Sequence, residues 1–307
     1  MATYCITGAR GFIGRHLARA LADDGNRVFG LGHGAWPDAA TAGLDLWING
    51  DIDTLNLSAL ADQASGFDAI FHLAGGSAVG PSLARPREDF ERTVAATARL
   101  LDWMRQIAPA TRLVTASSAA VYGDAGTARS SEAAALDPTS PYGTHKAMLE
   151  ALVGSYRRHF KLAACSVRLF SVYGRGLEKQ LLFELCRRCA AADQGAELAL
   201  GGTGQEQRDW LHVSDAVALL RIAAGSDVPP ILNGGTGVPT AVAAIAAMVC
   251  NEWRKDLRPI FSGIVRKGDP ANLVADPDRA RAAGFVARTD VAQGVPDYVA
   301  WFRQNWR

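Results

Sequence analysis

The sequence predicts an α/β fold built on a doubly wound parallel sheet. Short apolar runs alternate with amphipathic helical stretches through the first half of the chain, and a glycine-rich turn joins the first run to the first helix. Such alternation is typical of βαβ units, whose parallel strands are covered by helices on both faces. With 307 residues, of which 49% are hydrophobic and 21% charged, the chain can build a sizeable core and is not disordered.

Each predicted strand is a short apolar run bounded by polar or glycine residues. The six runs are Thr3–Thr7, Arg27–Leu31, Asp45–Ile48, Ala69–Leu73, Leu113–Ser117 and Ala164–Phe170. Helical periodicity lies between several of them. The stretch Gly11–Asp24 places Ile13, Leu17 and Leu21 on one face, and Phe90–Ile107 is a second helical stretch.

The loop from Thr7 to Gly14 contains three glycines. Gly8 allows a tight turn, Gly11 lets the backbone approach a pyrophosphate, and Gly14 lets helix and strand pack closely. The helix N-terminus then offers N–H groups and a positive dipole to the pyrophosphate. The strand before the loop and the helix after it make this a specific signal for a Rossmann-type dinucleotide site. The predicted cofactor-binding residues are Gly8, Arg10, Gly11, Phe12, Ile13, Gly14, Gly32, His33, Asp51, Ile52, Leu73, Ala74, Gly75, Tyr142 and Lys146.

The end of the second strand indicates which dinucleotide binds. NAD sites normally carry an acidic residue there, which accepts a hydrogen bond from the ribose 2′-hydroxyl. This strand is followed by Gly32 and His33 instead, so a 2′-phosphate is not repelled, and Arg10 and His33 are expected to contact it. We therefore expect NADP(H), with NAD(H) as the alternative. Asp51, after the third strand, is assigned to the adenine amino group.

The regular alternation weakens after about residue 172, where loops rich in glycine and charge begin. We predict a dinucleotide-binding domain over residues 1–172, rejoined by about 212–235. A smaller, discontinuous C-terminal substrate-binding lobe is predicted over 173–307. Ligands of open α/β sheets bind beyond the carboxyl ends of the strands, so the cleft between the two parts is the expected site.

The charge balance and the cysteines exclude several other classes of protein. A net charge of +1 argues against nucleic-acid binding, and no apolar run is long enough to cross a membrane. Without a secretory signal, we expect a cytoplasmic protein with reduced thiols. Cys186 and Cys189 form a CxxC pair on an amphipathic helix, which we interpret as structural and not as a metal site.

A tyrosine and a lysine four residues apart indicate the chemistry. Tyr142 and Lys146 share one face of a helix that Ser140 would cap and Pro141 would open. A nearby ammonium is expected to lower the pKa of the phenol, which can then exchange a proton with a carbonyl or alcohol oxygen. Ser118, at the end of the fifth strand, offers a hydroxyl beside it.

These motifs, taken together, resemble the extended short-chain dehydrogenase/reductases of the nucleotide-sugar epimerase/dehydratase group. The matching segments are Thr7–Gly14, His72–Gly75, Ser117–Gly123, Tyr142–Lys146, Arg168–Gly174, Arg208–Asp215 and Arg266–Asp269. The resemblance implies that Ser118 orients the reacting oxygen, that Tyr142 is the general acid/base, and that Lys146 holds the nicotinamide ribose.

The resemblance also implies a substrate and an assembly. A nucleoside-diphosphate sugar is the expected partner, and a homodimer formed through the helices at 90–107 and 142–160 is expected. The predicted substrate-binding residues are Ser77, Ser118, Ser171, Arg208, Arg266 and Asp269. Arginine offers a bidentate fork to a diphosphate, and aspartate can accept from ribose hydroxyls.

Three functions stay open. Dehydratases of the group carry an Asp-Glu pair directly after the catalytic hydroxyl residue, and this chain has Ala119 and Ala120 there. The leading prediction is an NADP(H)-dependent reductase of a nucleoside-diphosphate 4-keto-6-deoxyhexose, with Tyr142 as proton donor. The alternative is an NAD-dependent C4 epimerase of a nucleotide sugar. A second alternative is a non-catalytic NADP-binding regulatory protein.

Overall fold

A twisted parallel sheet runs through the first part of the molecule. The computed structural model describes residues 1–124, 126, 128–265 and 270–306. Within them, the strands of this sheet are β1 Thr3–Thr7, β2 Arg27–Gly32, β3 Leu46–Asn49, β4 Ala69–His72, β5 Arg112–Ser118, β6 Ala164–Leu169 and, later in the chain, β10 Ile231–Gly234. Their order is β10-β6-β5-β4-β1-β2-β3, and every neighbouring pair is parallel. The predicted doubly wound sheet is confirmed.

Helices cover both faces of this sheet. The helices between β1 and β6 are α1 Phe12–Asp23, α2 Thr54–Ala64, α3 Val79–Ala84, α4 Pro86–Phe90, α5 Ala96–Ile107 and α6 Pro141–Phe160. The later helices are α7 Gln180–Ala191, α8 Val213–Ala223, α9 Val242–Trp253, α10 Asp278–Ala282 and α11 Val291–Asn305. α1 and α8 bury their apolar residues against one face of the sheet, while α2, α5 and α6 cover the other. Burial on both faces explains why the strands read as continuous apolar runs.

The helix predicted at Phe90–Ile107 is longer and less regular than its sequence pattern. It starts as α4 at Pro86, passes through a π-helical turn over Glu91–Ala95, and continues as α5. A π-turn inserts one extra residue, which rotates the side chains before it relative to those after it. The apolar periodicity alone could not place this interruption.

The remaining strands form two smaller sheets beside the main one. They are β7 Ser171–Tyr173, β8 Glu197–Leu200, β9 Gln207–His212, β11 Pro239–Ala241, β12 Arg258–Phe261 and β13 Asn272–Leu273. β9 pairs with β7, β11 and β13, and β8 pairs with β12. A third apolar cluster lies between α7, α9 and α11. Cys186, Cys189 and Cys250 are buried in it, as the structural interpretation of the CxxC pair requires.

The apolar residues of the helices pack into the hydrophobic clusters of the fold. Across the described residues, none combines the length and the hydropathy that a membrane span needs.

Candidate active site

One large cavity, of about 1360 Å³, opens at the carboxyl ends of the parallel strands. All residues predicted to bind the cofactor line it, and so do Ser77, Ser118 and Ser171 from the predicted substrate set. The sequence therefore places these residues at one site. This is the position at which open α/β sheets bind their ligands.

The glycine loop forms the floor of the cavity at the start of α1. Gly8 has a φ of +74°, and a Cβ on it would lie 2.8 Å from the backbone nitrogen of Ala74. A Cβ on Gly14 would lie 2.3 Å from the carbonyl oxygen of Gly8. Larger residues are therefore excluded at both positions. The loop packs tightly on β4 and brings its backbone to the cavity, so the residues fit a dinucleotide pyrophosphate.

The end of the cavity at which we expect the adenosine contains the three side chains assigned to it, His33, Asp51 and Arg10. His33, after β2, lies 3.2 Å from the Asp51 carboxylate through its Nε2, and both side chains are exposed. Asp51 follows β3, the neighbour of β2. The Arg10 guanidinium lies against Gly34, where a Cβ would be 2.6 Å from it. A carboxylate is therefore present at this end of the cavity, supplied by a different strand from the expected one.

Ser118, Tyr142 and Lys146 come together where β5 meets α6. Ser140 caps α6 by accepting from the Gly143 N–H, and Pro141 is its first residue, as predicted. The Tyr142 hydroxyl shares a hydrogen bond with the Ser118 side chain. The Lys146 ammonium lies 5.9 Å from the centre of the Tyr142 ring and donates to the Ala116 carbonyl at 2.8 Å. The cap, the proline and the four-residue spacing thus place the three groups together.

The electrostatics of this cluster differ from the sequence-based expectation. Burial raises the pKa of Tyr142, and the Asp89 carboxylate raises it further, while the hydrogen bond from Ser118 opposes them. Burial also lowers the pKa of Lys146 to about 8, although Asp89 and Glu150 act in the opposite direction. The expectation that Lys146 lowers the pKa of the phenol was wrong for the protein without ligands. Desolvation of the phenol outweighs the hydrogen bond from Ser118, which alone lowers the pKa.

The predicted substrate residues are not all at the cavity. Ser77 accepts a hydrogen bond from Lys179 at 2.7 Å, and Ser171 lies at the start of β7. Arg208 lies in β9, where its guanidinium donates to the Gln207 carbonyl, and it is not among the described residues that line the cavity. Arg266 and Asp269 lie outside the described residues.

Buried polar groups that the sequence reading missed surround the cluster. Glu150 bonds to Arg168 at 2.7 Å and accepts from Ser117 at 2.5 Å. His145 contacts Asp89 at 2.5 Å. A signal for the first pair existed, because Glu150 stands four residues after Lys146 and Arg168 interrupts an apolar strand. Asp89 gave no such signal, since its helix reads as an ordinary charged surface helix.

Residues 174–180, which we call the crossing segment, run over the start of α1. The His16 Nε2 donates to the Arg175 carbonyl at 2.8 Å. A Cβ on Gly176 would lie 4.0 Å from the Phe12 ring. The Lys179 ammonium reaches the loop after β4 through Ser77. The crossing segment therefore closes one side of the cavity above the glycine loop.

The fold and the cluster define a dinucleotide-dependent enzyme of the tyrosine–lysine type. The model of the NAD dependent epimerase/dehydratase family matches residues 4–233, and the chain belongs to that family. The membership predicted from the sequence motifs is confirmed.

Individual relatives are similar along their whole length. The "probable UDP-glucuronate 4-epimerase" of Rhizobium meliloti (strain 1021) is 27% identical, and the match covers 99% of this chain and 98% of the relative. A UDP-glucose 4-epimerase of Corynebacterium glutamicum is 29% identical, with 90% and 88% covered. These names favour the alternative, C4 epimerisation, over the leading prediction of a reductase.

Solved structures are equally similar in fold. MoeE5 in complex with UDP-glucuronic acid and NAD is 32% identical, with a TM-score of 0.83 and coverage of 98% of this chain and 99% of that chain. A UDP-glucose 4-epimerase from Thermotoga maritima, at 23% identity and a TM-score of 0.89, shows the shared fold. The complex of MoeE5 contains NAD, and the preference for NADP(H) predicted from the second strand finds no support.

Proposed function

We propose that this chain is an NAD-dependent 4-epimerase of a nucleoside-diphosphate sugar, with a UDP-sugar as substrate. The observation that carries the proposal is the hydrogen-bonded pair of Ser118 and Tyr142 at the cavity wall, with Lys146 beside it. Such a set moves a proton at a sugar hydroxyl. The 4-epimerases among the full-length relatives support this choice of reaction.

The side chains divide the reaction between them. Tyr142 accepts the proton of the sugar C4 hydroxyl and later returns it to the oxygen of the 4-keto sugar, while Ser118 orients that oxygen. When bound, NAD supplies the acceptor and donor of the C4 hydride. Lys146 is assigned to the nicotinamide ribose. Ala119 and Ala120 line the cavity without a proton to transfer, which argues against loss of water from the ring.

Two arguments support NAD as the cofactor. An epimerase oxidises and reduces the same carbon, so it needs no supply of a reduced, dissociable cofactor. The Asp51 carboxylate also stands beside His33 at the adenosine end, where a 2′-phosphate would meet a like charge.

For the substrate, we assign the sugar to the side of the cavity formed by Ser77, Ser118 and Ser171. Arg208, Arg266 and Asp269 are assigned to the nucleotide, in the smaller C-terminal lobe. These assignments follow the family resemblance. Alanine variants of Arg208 and Arg266 are expected to raise KM more than they lower kcat.

The test measures epimerisation without any added reductant. UDP-glucose, UDP-glucuronate and their C4 epimers are each incubated with the purified protein, and the products are separated by anion-exchange chromatography. We expect interconversion of one C4 pair with no net NADPH consumption. Stoichiometric oxidation of NADPH on a 4-keto-6-deoxy sugar, without epimerisation, would overturn the proposal in favour of the reductase.

Replacing Tyr142 by phenylalanine tests the role of its hydroxyl. Loss of a positioned proton-transfer group lowers rates by about 10²–10⁴-fold, so turnover is expected to fall by that factor while bound NAD is retained. Tyr156→Phe is the matched control, since Tyr156 lies on the same helix and packs against Phe160 outside the cavity. A Tyr142→Phe protein with unchanged turnover would remove Tyr142 from the mechanism and revive a purely binding role.

A further inference from the structure

A buried hydrogen bond between His145 and Asp89 lies directly behind the turn of α6 that carries Tyr142 and Lys146. The His145 Nδ1 lies 2.5 Å from an Asp89 carboxylate oxygen, and the two side chains are 11% and 7% exposed. The Phe90 ring packs edge-on against the imidazole, with ring centres 5.6 Å apart. His145 precedes Lys146 in the chain, whereas Asp89 comes from α4. The pair therefore ties α4 to the first turn of the catalytic helix.

The carboxylate also packs against the backbone that follows β4. A Cβ on Gly76 would lie 1.9 Å from the second Asp89 oxygen, so only glycine fits there. The Gly76 N–H donates to the Thr93 hydroxyl at 2.8 Å. Thr93 belongs to the π-helical turn that follows α4, and such turns are frequent at functional sites. Asp89 is thus held from both sides, by the imidazole and by the backbone after β4.

Asp89 acts on both catalytic side chains through its charge. Its carboxylate raises the pKa of Lys146 and of Tyr142. Glu150, four residues further along α6, raises the pKa of Lys146 as well, and Lys146 lowers that of His72 on β4. On the helix of Asp89 itself, Glu88 is paired with Arg85 at 3.0 Å and with Arg92 at 2.5 Å.

We propose that His145 and Asp89 are positioning residues, in which the imidazole holds the Asp89 carboxylate against Gly76. The neighbouring Gly75 is approached by the Lys146 ammonium, which would lie 3.6 Å from a Cβ there. This inference rests on the proposed roles of Tyr142 and Lys146. Neither residue of the pair is among the described residues that line the cavity, so both act through Lys146 and Tyr142 and do not contact substrate.

The first test is Asp89→Asn, which keeps the size and removes the charge. Without the carboxylate, both Lys146 and Tyr142 lose their protons more readily, so the pH profile of kcat is expected to move to lower pH at both limbs. Asp102→Asn is the matched control, because it removes an exposed carboxylate paired with Arg105 on α5. An Asp89→Asn profile that coincides with the wild-type profile would overturn the proposal.

A second readout does not depend on turnover. The near-ultraviolet difference titration of wild type minus Tyr142→Phe isolates one phenol among the six tyrosines. In the Asp89→Asn background, this titration is expected to move to lower pH. A wild type without epimerase activity would reject the proposed function, while the phenol titration would still decide on the charge of Asp89. An unmoved titration counts against the pair.

The His145 variants separate positioning from stability. His145→Ala is expected to lower kcat about tenfold with KM unchanged, because a small displacement of reacting groups is costly. His145→Asn, whose amide can donate from the place of Nδ1, is expected to recover most of this loss. Should Asp89→Asn not fold, these two variants decide. Equal kcat values for the alanine and asparagine variants would overturn the positioning role.

Discussion

The Lys146 side chain is almost completely buried. Its side chain is 3% exposed, and burial lowers its pKa from 10.5 to about 8. Between pH 8 and pH 10.5 the unfolded chain binds more protons than the folded one. The folded state therefore gains stability as the pH rises through this range. Below pH 8 the cost of the buried ammonium is present in full.

This sign leads to a prediction for Lys146→Met. The variant lacks the titrating group and so escapes the cost of the buried ammonium. Its free energy of unfolding minus that of the wild type is therefore expected to be about 3 kcal/mol larger at pH 7 than at pH 10.5. This figure follows from the difference between the two pKa values. Urea unfolding at both pH values measures it. Lys161→Met, at an exposed helix end, is the control. A pH-independent difference would show that the folded-state pKa is not depressed.

Asp51 tests the choice of cofactor at the adenosine end. Asp51→Asn removes the carboxylate beside His33, and the affinity for NADP is expected to rise relative to NAD by about fivefold, a small factor because the site is exposed and screened. Arg10→Ala is the companion variant and is expected to act in the opposite direction. Fluorescence titration with both reduced dinucleotides measures the ratio. An unchanged ratio in Asp51→Asn would show that another group selects the cofactor.

At the scale of secondary structure, α6 is fastened to the sheet by a buried network. Glu150 on α6 bonds to Arg168 on β6, and the two side chains are 5% and 3% exposed. Arg168 also donates to the Tyr122 hydroxyl at 2.9 Å, which in turn donates to Asn233 on β10 at 2.6 Å. The network joins the catalytic helix to two strands of the sheet.

Removing one charge from this network is expected to lower the free energy of unfolding. Arg168→Met leaves the Glu150 carboxylate buried without its cation, and the free energy of unfolding is expected to fall by about 3–5 kcal/mol. The double variant Glu150→Leu, Arg168→Met is expected to recover most of this loss. Arg105→Met, from the exposed pair with Asp102, is the control and should cost no more than about 1 kcal/mol. Chemical denaturation decides, and an equal loss in Arg105→Met would contradict the assignment.

The secondary-structure elements that position the site were predictable where neighbouring residues in the sequence determine them. Gly8 and Gly14 predict the loop, because no side chain fits at either position. Ser140 and Pro141 predict the start of α6, because both residue types favour the start of a helix. The π-turn at Glu91–Ala95 and the reach of Asp89 toward Lys146 depend on packing between distant segments. No local pattern carries that information, so the raised pKa of Tyr142 could not be predicted either.

On the scale of the whole molecule, α5 and α6 expose three large apolar side chains. Ile107, Met148 and Phe160 are 59%, 43% and 48% exposed, respectively. Exposed apolar side chains that form a contiguous patch mark association sites. The homodimer through these two helices stays a prediction.

Met148→Glu tests this association. We expect the wild type to sediment as a dimer at micromolar concentration and the variant as a monomer, because a carboxylate on this face would be buried without a partner. Leu55→Glu is the control, since Leu55 is 81% exposed on α2, away from these helices. A monomeric wild type, or dissociation in both variants, would contradict the prediction.

The sequence predicted only part of the arrangement of cofactor and substrate residues in the molecule. The residues predicted to bind the cofactor were expected to share one site, because the carboxyl ends of parallel strands meet at one edge, and all of them line the cavity. Arg208 was placed by resemblance, and its guanidinium stays near its own strand. The preference for NADP(H), predicted from the missing acid after β2, finds no support, and the Asp51 carboxylate after β3 is the acidic group that stands beside His33.

The crossing segment bears on how a dinucleotide bound at the glycine loop would exchange with the free pool. A dinucleotide leaving past the start of α1 would have to break the contacts of His16 with Arg175 and of Lys179 with Ser77. We therefore expect its exchange with free dinucleotide to be slow compared with turnover. An enzyme that keeps its own redox equivalent in this way works at the same rate whether the surrounding pool is oxidised or reduced.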